Sequence, residues 1–259
     1  MLVRCIFFLF LCLNLINVQP SGATEQPVTL LVSAASDLTF AFRELGARFE
    51  ATTGIKVIFN FGATGQLAQQ IERGAPVDLF AAANVSFIDR LVQHDLIIAD
   101  SKMPYARGRL TLWTRADSAL RLTGLDDLMQ PQVRRVAIAN PTHAPYGLAA
   151  KQALQSAGLW KRLQQKLVIG ENIRQALQYA STGNVEVALI ALSLSLQYNG
   201  RWLKIPEHLH RPLIQTLAIL KRTAYAAEAR QFAAFISGPQ GQPIMKKYGF
   251  VLPSEEALQ

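Results

Sequence analysis

Four short stretches hold the residue types that could bind a charged solute. Ala34-Ala35-Ser36-Asp37 ends on a hydroxyl and a carboxylate, and Gly62-Ala63-Thr64-Gly65 places a second hydroxyl between glycines. Asn140-Pro141-Thr142-His143-Ala144-Pro145-Tyr146-Gly147 carries a phenol, and Gly170-Glu171-Asn172-Ile173 is the fourth. In each, a strand-like run gives way to helical spacing. A helix start holds backbone N–H groups with no partner inside the helix, and the aligned peptide dipoles give it a partial positive charge. Several such ends aimed at one point make an anion site without lysine or arginine. Hydroxyls add donors that rotate to fit the guest, and small neighbours let the backbone come close. Taken singly, Ser36 and Thr64 also fit ordinary N-caps, Gly65 and Gly147 fit turn relief, and Tyr146 fits a surface aromatic.

Other chemistries find less support. There is no G-x-S-x-G, no Walker-type G-x-x-x-x-G-K and no H-E-x-x-H. His94 falls at a helix end, and His143 reads as structural. His208 and His210 form an H-x-H without an evident third ligand. Asp126-Asp127 reads as a carboxylate pair facing a helix dipole. A hydrolase would need an activated nucleophile and its base, and no such set is visible.

The elements that must position the four turns alternate. Strands are expected over 28–33, 56–61 and 78–83, with helices over 38–50, 66–73 and 86–94, from short apolar runs and 3.6-residue spacing. Within 106–114 a polar turn is followed by one long apolar strand, and the chain first crosses between lobes here. Strands at 136–139, 166–169 and 185–191 then alternate with helices at 147–157 and 173–180. A strand over 213–220 returns the chain, and helices over 226–237 and 240–247 close it. The pattern predicts an α/β protein of two lobes with mostly parallel sheets and helices on both faces. The expected division is 24–106 plus 217–259 for lobe 1 and 107–216 for lobe 2. Ligands of such sheets sit at the carboxyl ends of strands, here in the cleft between lobes.

The first residues predict export. Met1–Arg4 is a short basic start, residues 5–18 are almost wholly apolar, and Ser21-Gly22-Ala23 offers small residues for cleavage. Residues 1–23 therefore read as a cleavable signal peptide. Both cysteines, Cys5 and Cys12, fall inside it. Leu11 before Cys12 argues against a lipid anchor. The remaining chain has neither disulfide nor thiolate chemistry, so its lobes rest on their apolar cores. The formal charge of +8 favours anions at long range. The basic residues are scattered, which argues against a nucleic-acid partner.

The four turns, read with their surroundings, resemble the periplasmic molybdate-binding proteins of ABC transporters over nearly the whole chain after the leader. The phrases that carry the resemblance are AASDL (Ala34–Leu38), FGATGQLAQQIERGAPVDLFAAAN (Phe61–Asn84), NPTHAPYGLAAKQAL (Asn140–Leu154), ENIRQAL (Glu171–Leu177), GNVEVALIALS (Gly183–Ser193) and GPQGQPIMKKYGF (Gly238–Phe250). The resemblance implies a monomeric, non-enzymatic binding protein. It would hold molybdate or tungstate through neutral donors, without a cofactor or direct metal ligand, and hand it to a membrane permease. Another oxyanion, such as sulfate or phosphate, is the alternative. By motif, Ser36 would donate its hydroxyl and N–H, and Thr64 would stand in for a serine. The Tyr146 turn would contribute from the second lobe, and Ile173 would give its N–H. Asp37 would take part through its backbone alone, with its carboxylate turned away from a dianion. One departure is Ala191, where many members have a tyrosine. The hydroxyl of Tyr146 is the expected replacement.

Overall fold

The computed structural model describes residues 28–253, so the expected leader lies outside the described residues. Two five-stranded sheets organise them. The first has the order β2-β1-β3-β10-β4, from β1 (Thr29–Ala35), β2 (Lys56–Gly62), β3 (Leu79–Ala82), β4 (Met103–Gly108) and β10 (Leu213–Ile219). The second has the order β7-β6-β8-β5-β9, from β5 (Leu110–Arg115), β6 (Val136–Ala139), β7 (Leu167–Gly170), β8 (Val187–Ala191) and β9 (Gly200–Lys204). In the first sheet β1 pairs in parallel with β2 and β3, while β10 runs antiparallel between β3 and β4. In the second, β6 pairs in parallel with β7 and β8, while β5 runs antiparallel between β8 and β9. The sheets are therefore mixed, each with one strand running against the other four.

Crossovers between the parallel strands are helical, as that pairing requires. They include α1 (Thr39–Thr53), α2 (Thr64–Glu72), α3 (Val85–Gln93), α4 (Pro145–Ser156), α5 (Trp160–Leu163) and α6 (Ile173–Ser181). The short helix α7 (Leu192–Ser195) follows β8 directly, and α8 (Ala226–Ser237) and α9 (Gly241–Lys247) pack after β10. The apolar positions of α1 explain its docking. Phe42, Leu45 and Phe49 are fully buried. Phe49 meets Phe232 of α8 at 5.0 Å between ring centroids, and Phe42 meets Phe59 of β2 at 5.9 Å. Burying each such side chain contributes about 1.5–3 kcal/mol.

The crossing expected within 106–114 falls at Arg109, between β4 in the first sheet and β5 in the second. The structure adds β4 ahead of it, a strand not expected because Met103–Gly108 mixes proline and arginine with its apolar residues. The lobe limits move accordingly. Arg107, Gly108 and Leu213–Thr216, given above to the second lobe, pair within the first sheet. The crossings fall at Arg109 and within 205–212. Glu207, in the second crossing, forms ion pairs with Arg107 and Arg109 beside the first. The edge strand β9 was not anticipated, because only Trp202 and Leu203 of Gly200–Lys204 are apolar.

Candidate functional site

The four turns lie at the carboxyl ends of β1, β2, β6 and β7, and they meet. Ser36, Asp37, Thr64, Tyr146 and Ile173 line one cleft between the sheets. Small residues, among them Ala35, Ala63 and Ala83, form the rest of its first-lobe wall. The lining contains no lysine or arginine, and Asp37 is its one charged residue. The cleft volume is about 10 Å³, space for no more than about one water.

Each residue owes its place to local chemistry. Ser36 opens a 3-10 turn, Ser36–Leu38, that runs straight into α1. Its hydroxyl caps no N–H; instead its carbonyl accepts from Thr39 Oγ1 at 2.8 Å. Thr64 is the first residue of α2, after the N-cap Ala63, and its hydroxyl accepts the N–H of Ala83 at 3.3 Å. Neither hydroxyl is a helix cap, so the simplest competing explanation of both residues is removed. The Thr64 hydroxyl proton stays available to a guest, because accepting uses only a lone pair.

The second lobe presents two helix starts. Pro145 occupies the first position of α4 and has no N–H, so Tyr146 carries the first donor of that helix. Gly147 is required here: a Cβ would stand 2.2 Å from the Ala139 carbonyl oxygen, where the helix start rests on β6. Asn172 caps α6 by accepting the N–H groups of Arg174 and Gln175 at 3.0 and 3.2 Å. That leaves the N–H of Ile173, at the first helical position, outside both the cap and the helix.

The lobes also bond directly. Gly65 N–H donates to the His143 carbonyl at 2.8 Å, and a Cβ on Gly65 would meet His143 at 2.9 Å. His143 in turn bonds the Glu171 carbonyl through Nε2 at 2.9 Å, and Glu171 also bonds Gln66 across the cleft. His143 thus lies at the contact between lobes. The other histidines form no metal cluster with acidic residues: among the described residues no group of three or more metal-ligating side chains occurs.

Asp37 is the unusual titratable group. Its carboxylate accepts from Gln215 Nε2 at 2.8 Å, and its carbonyl accepts from Ser193 Oγ of the second lobe at 2.7 Å. Burial pushes its pKa up to about 7, an effect that Tyr146 and Gln215 partly offset. The Tyr146 hydroxyl is buried beside Asp37 and Gln215 without a hydrogen bond of good geometry. Burial, and next the Asp37 charge, hold its pKa well above the usual phenol value. Ala191 is fully buried at the end of β8. Residues that the sequence reading missed are Ser193, Gln215 and Tyr105. The one available signal was a glutamine in the strand LIQTLAI, whose other residues are apolar apart from Thr216.

Two α/β lobes joined by two crossings, with helix starts from both and hydroxyls from the first facing one cleft, define a solute-binding protein. The chain belongs to the bacterial extracellular solute-binding proteins, whose family model matches residues 30–251, and within them to the molybdate-binding proteins, to which it is similar over nine-tenths of its length. It is 35% identical to the molybdate-binding protein ModA of Rhodobacter capsulatus over 90% of each chain. It is 33% identical to the protein of that name from Azotobacter vinelandii, over 89% of this chain and 93% of that one. The solved structure of the Azotobacter vinelandii periplasmic molybdate-binding protein superposes with a TM-score of 0.83 at 31% identity, covering 86% of this chain and 99% of that one.

Proposed function

We propose that the protein captures molybdate, or the similarly shaped tungstate, in the periplasm and delivers it to an ABC permease. It acts as a monomer, after removal of the leader over 1–23. The observation that carries this reading is the cleft lining: hydroxyl and helix-start residues of both lobes, with no cationic side chain. A buried dianion loses its hydration and must regain hydrogen bonds from the site. Ser36 and Thr64 offer hydroxyls from the first lobe, with the N–H groups at Ser36, Asp37 and Thr64. Tyr146 and Ile173 offer N–H groups from the second. Tyr146 serves through its backbone; its hydroxyl is engaged with the Asp37 neighbourhood rather than replacing a tyrosine at Ala191. The guest bridges the lobes, so its contacts exist only in the closed state, which it thereby favours. Arg174, in the wider groove beside Ser36, adds to the positive field that draws anions in.

Selection against sulfate rests on size, since both ions take the same donors. The test is calorimetric titration of the leader-free protein with molybdate, tungstate, sulfate and phosphate. Molybdate and tungstate should bind at least about a hundredfold more tightly than sulfate, a difference of about 2.7 kcal/mol. Equal binding of sulfate would contradict the size argument, and tighter binding of phosphate or sulfate would reassign the ligand.

A further inference from the structure

Asp37 presents a physical problem that the site must solve. Its backbone faces the same cleft as Ser36, yet it carries the only carboxylate in the lining. A negative side chain free to turn toward a dianion would oppose binding. The structure holds that side chain elsewhere. Gln215 Nε2 donates to Asp37 Oδ2 at 2.8 Å, and both residues are at most 1% exposed. Gln215 is the one strongly polar residue of the buried part of β10, and it sits at a register shift against β4, between Gln215 and Thr216. Such an irregularity re-aims a side chain relative to its strand. Around the carboxylate, β4 contributes Tyr105, whose buried hydroxyl has no hydrogen-bond partner, and α4 contributes Tyr146, whose buried hydroxyl lies beside Asp37 and with Gln215 favours its charged form. From the second lobe, α7 contributes Ser193, bonded to the Asp37 carbonyl. Next to Asp37, α6 brings Ile173 into the cleft, while its Arg174 lies in the outer groove.

We propose that Gln215 is a positioning residue of the oxyanion site: from the floor of the cleft it keeps the Asp37 carboxylate turned away from the guest, so that only the Asp37 backbone faces it. The inference rests on the oxyanion reading of the same cleft. Gln215 touches no guest and acts only through Asp37. Tyr146 flanks the same carboxylate from α4, and Gln215 is the residue that holds it at 2.8 Å.

The experiment is a double-mutant cycle with Gln215→Met, Asp37→Asn and the combination, in leader-free protein, titrated with molybdate at about pH 8, where the carboxyl is mostly ionised. Thermal melting checks that each variant is folded. Gln215→Met removes the amide at nearly constant volume and should weaken molybdate binding by about tenfold or more. Adding Asp37→Asn removes the charge that Gln215 restrained, so the double variant should bind at least about fivefold more tightly than Gln215→Met. A merely structural role for Gln215 would give no such rescue. If Gln215→Met does not fold, Gln215→Asn, whose amide is one methylene too short, takes its place in the cycle. The proposal is overturned if the glutamine variant binds within about threefold of the parent protein, or if the double variant is as weak as the single. Absence of molybdate binding by the parent protein would overturn the ligand assignment instead, so the two failures are told apart.

Discussion

Replacing Ile173 by proline deletes a single backbone donor from the cleft and little else. Proline is accommodated at the first position of a helix, where its fixed φ suits the turn and its missing N–H would have no helical partner. Ile173 is that first position, and Asn172 before it has φ −142° and ψ 177°, the extended backbone that a residue preceding proline adopts. The cap survives, because Asn172 accepts from Arg174 and Gln175 and not from Ile173. A hydrogen bond to a charged group contributes about 1.5–3 kcal/mol. Loss of the Ile173 N–H should therefore weaken molybdate binding by about 10- to 150-fold. The Ile173 side chain is buried at 4% exposure, so Ile173→Ala, which keeps the N–H and loses the packing, is the control. Calorimetry on both variants separates the contributions. If Ile173→Pro binds no more weakly than Ile173→Ala, the backbone donor is not part of the site.

Three further perturbations test neighbouring parts of the account. Thr64→Val should weaken molybdate binding by about tenfold or more and lower stability by about 1–3 kcal/mol, since the Ala83 N–H loses its acceptor; Thr64→Ser should restore both, as read by calorimetry and thermal melting. Gly147→Ala drives a Cβ into the Ala139 carbonyl oxygen, so the start of α4 must shift: calorimetry should show weaker molybdate binding, and thermal melting should show none of the gain of about 1 kcal/mol that alanine's helix propensity offers. Asp37 has a folded pKa of about 7, above its unfolded value of 3.8. The folded state therefore binds the extra proton, and the contribution of Asp37 to stability is present at low pH and is lost as pH rises between those values. The loss amounts to about 4 kcal/mol at most, from about 1.4 kcal/mol per pH unit, and denaturant titrations from about pH 4 to about pH 8 should show a slope that Asp37→Asn removes.

Periodicity made most elements legible. The spacing of Phe42, Leu45 and Phe49 marks α1, and the short β-branched runs mark β1, β2 and β6, because burial on one face or both leaves a direct trace in residue type. The crossing at Arg109 was legible from the polar turn before Leu110–Thr114, but β4 was not, since Met103–Gly108 mixes proline and arginine with its apolar residues. The helix starts were legible from hydroxyls and glycines after apolar runs, although Thr64 proved to be inside its helix rather than capping it. Gln215 was not, because its meaning lies in a contact with Asp37 across 178 positions of sequence. The placement of the Tyr146 hydroxyl was likewise hidden. A turn position gives the start of α4 but not the depth to which a long side chain reaches beneath the cleft.

A crystal structure of the leader-free protein grown with molybdate, with the metal located by its anomalous scattering, shows where the ion sits. The ion should lie between the lobes, its oxygens bonded to the hydroxyls of Ser36 and Thr64 and to the N–H groups of Tyr146 and Ile173, with no lysine or arginine in contact. An ion held instead by Arg174 in the outer groove, with those four residues untouched, would rule out this site.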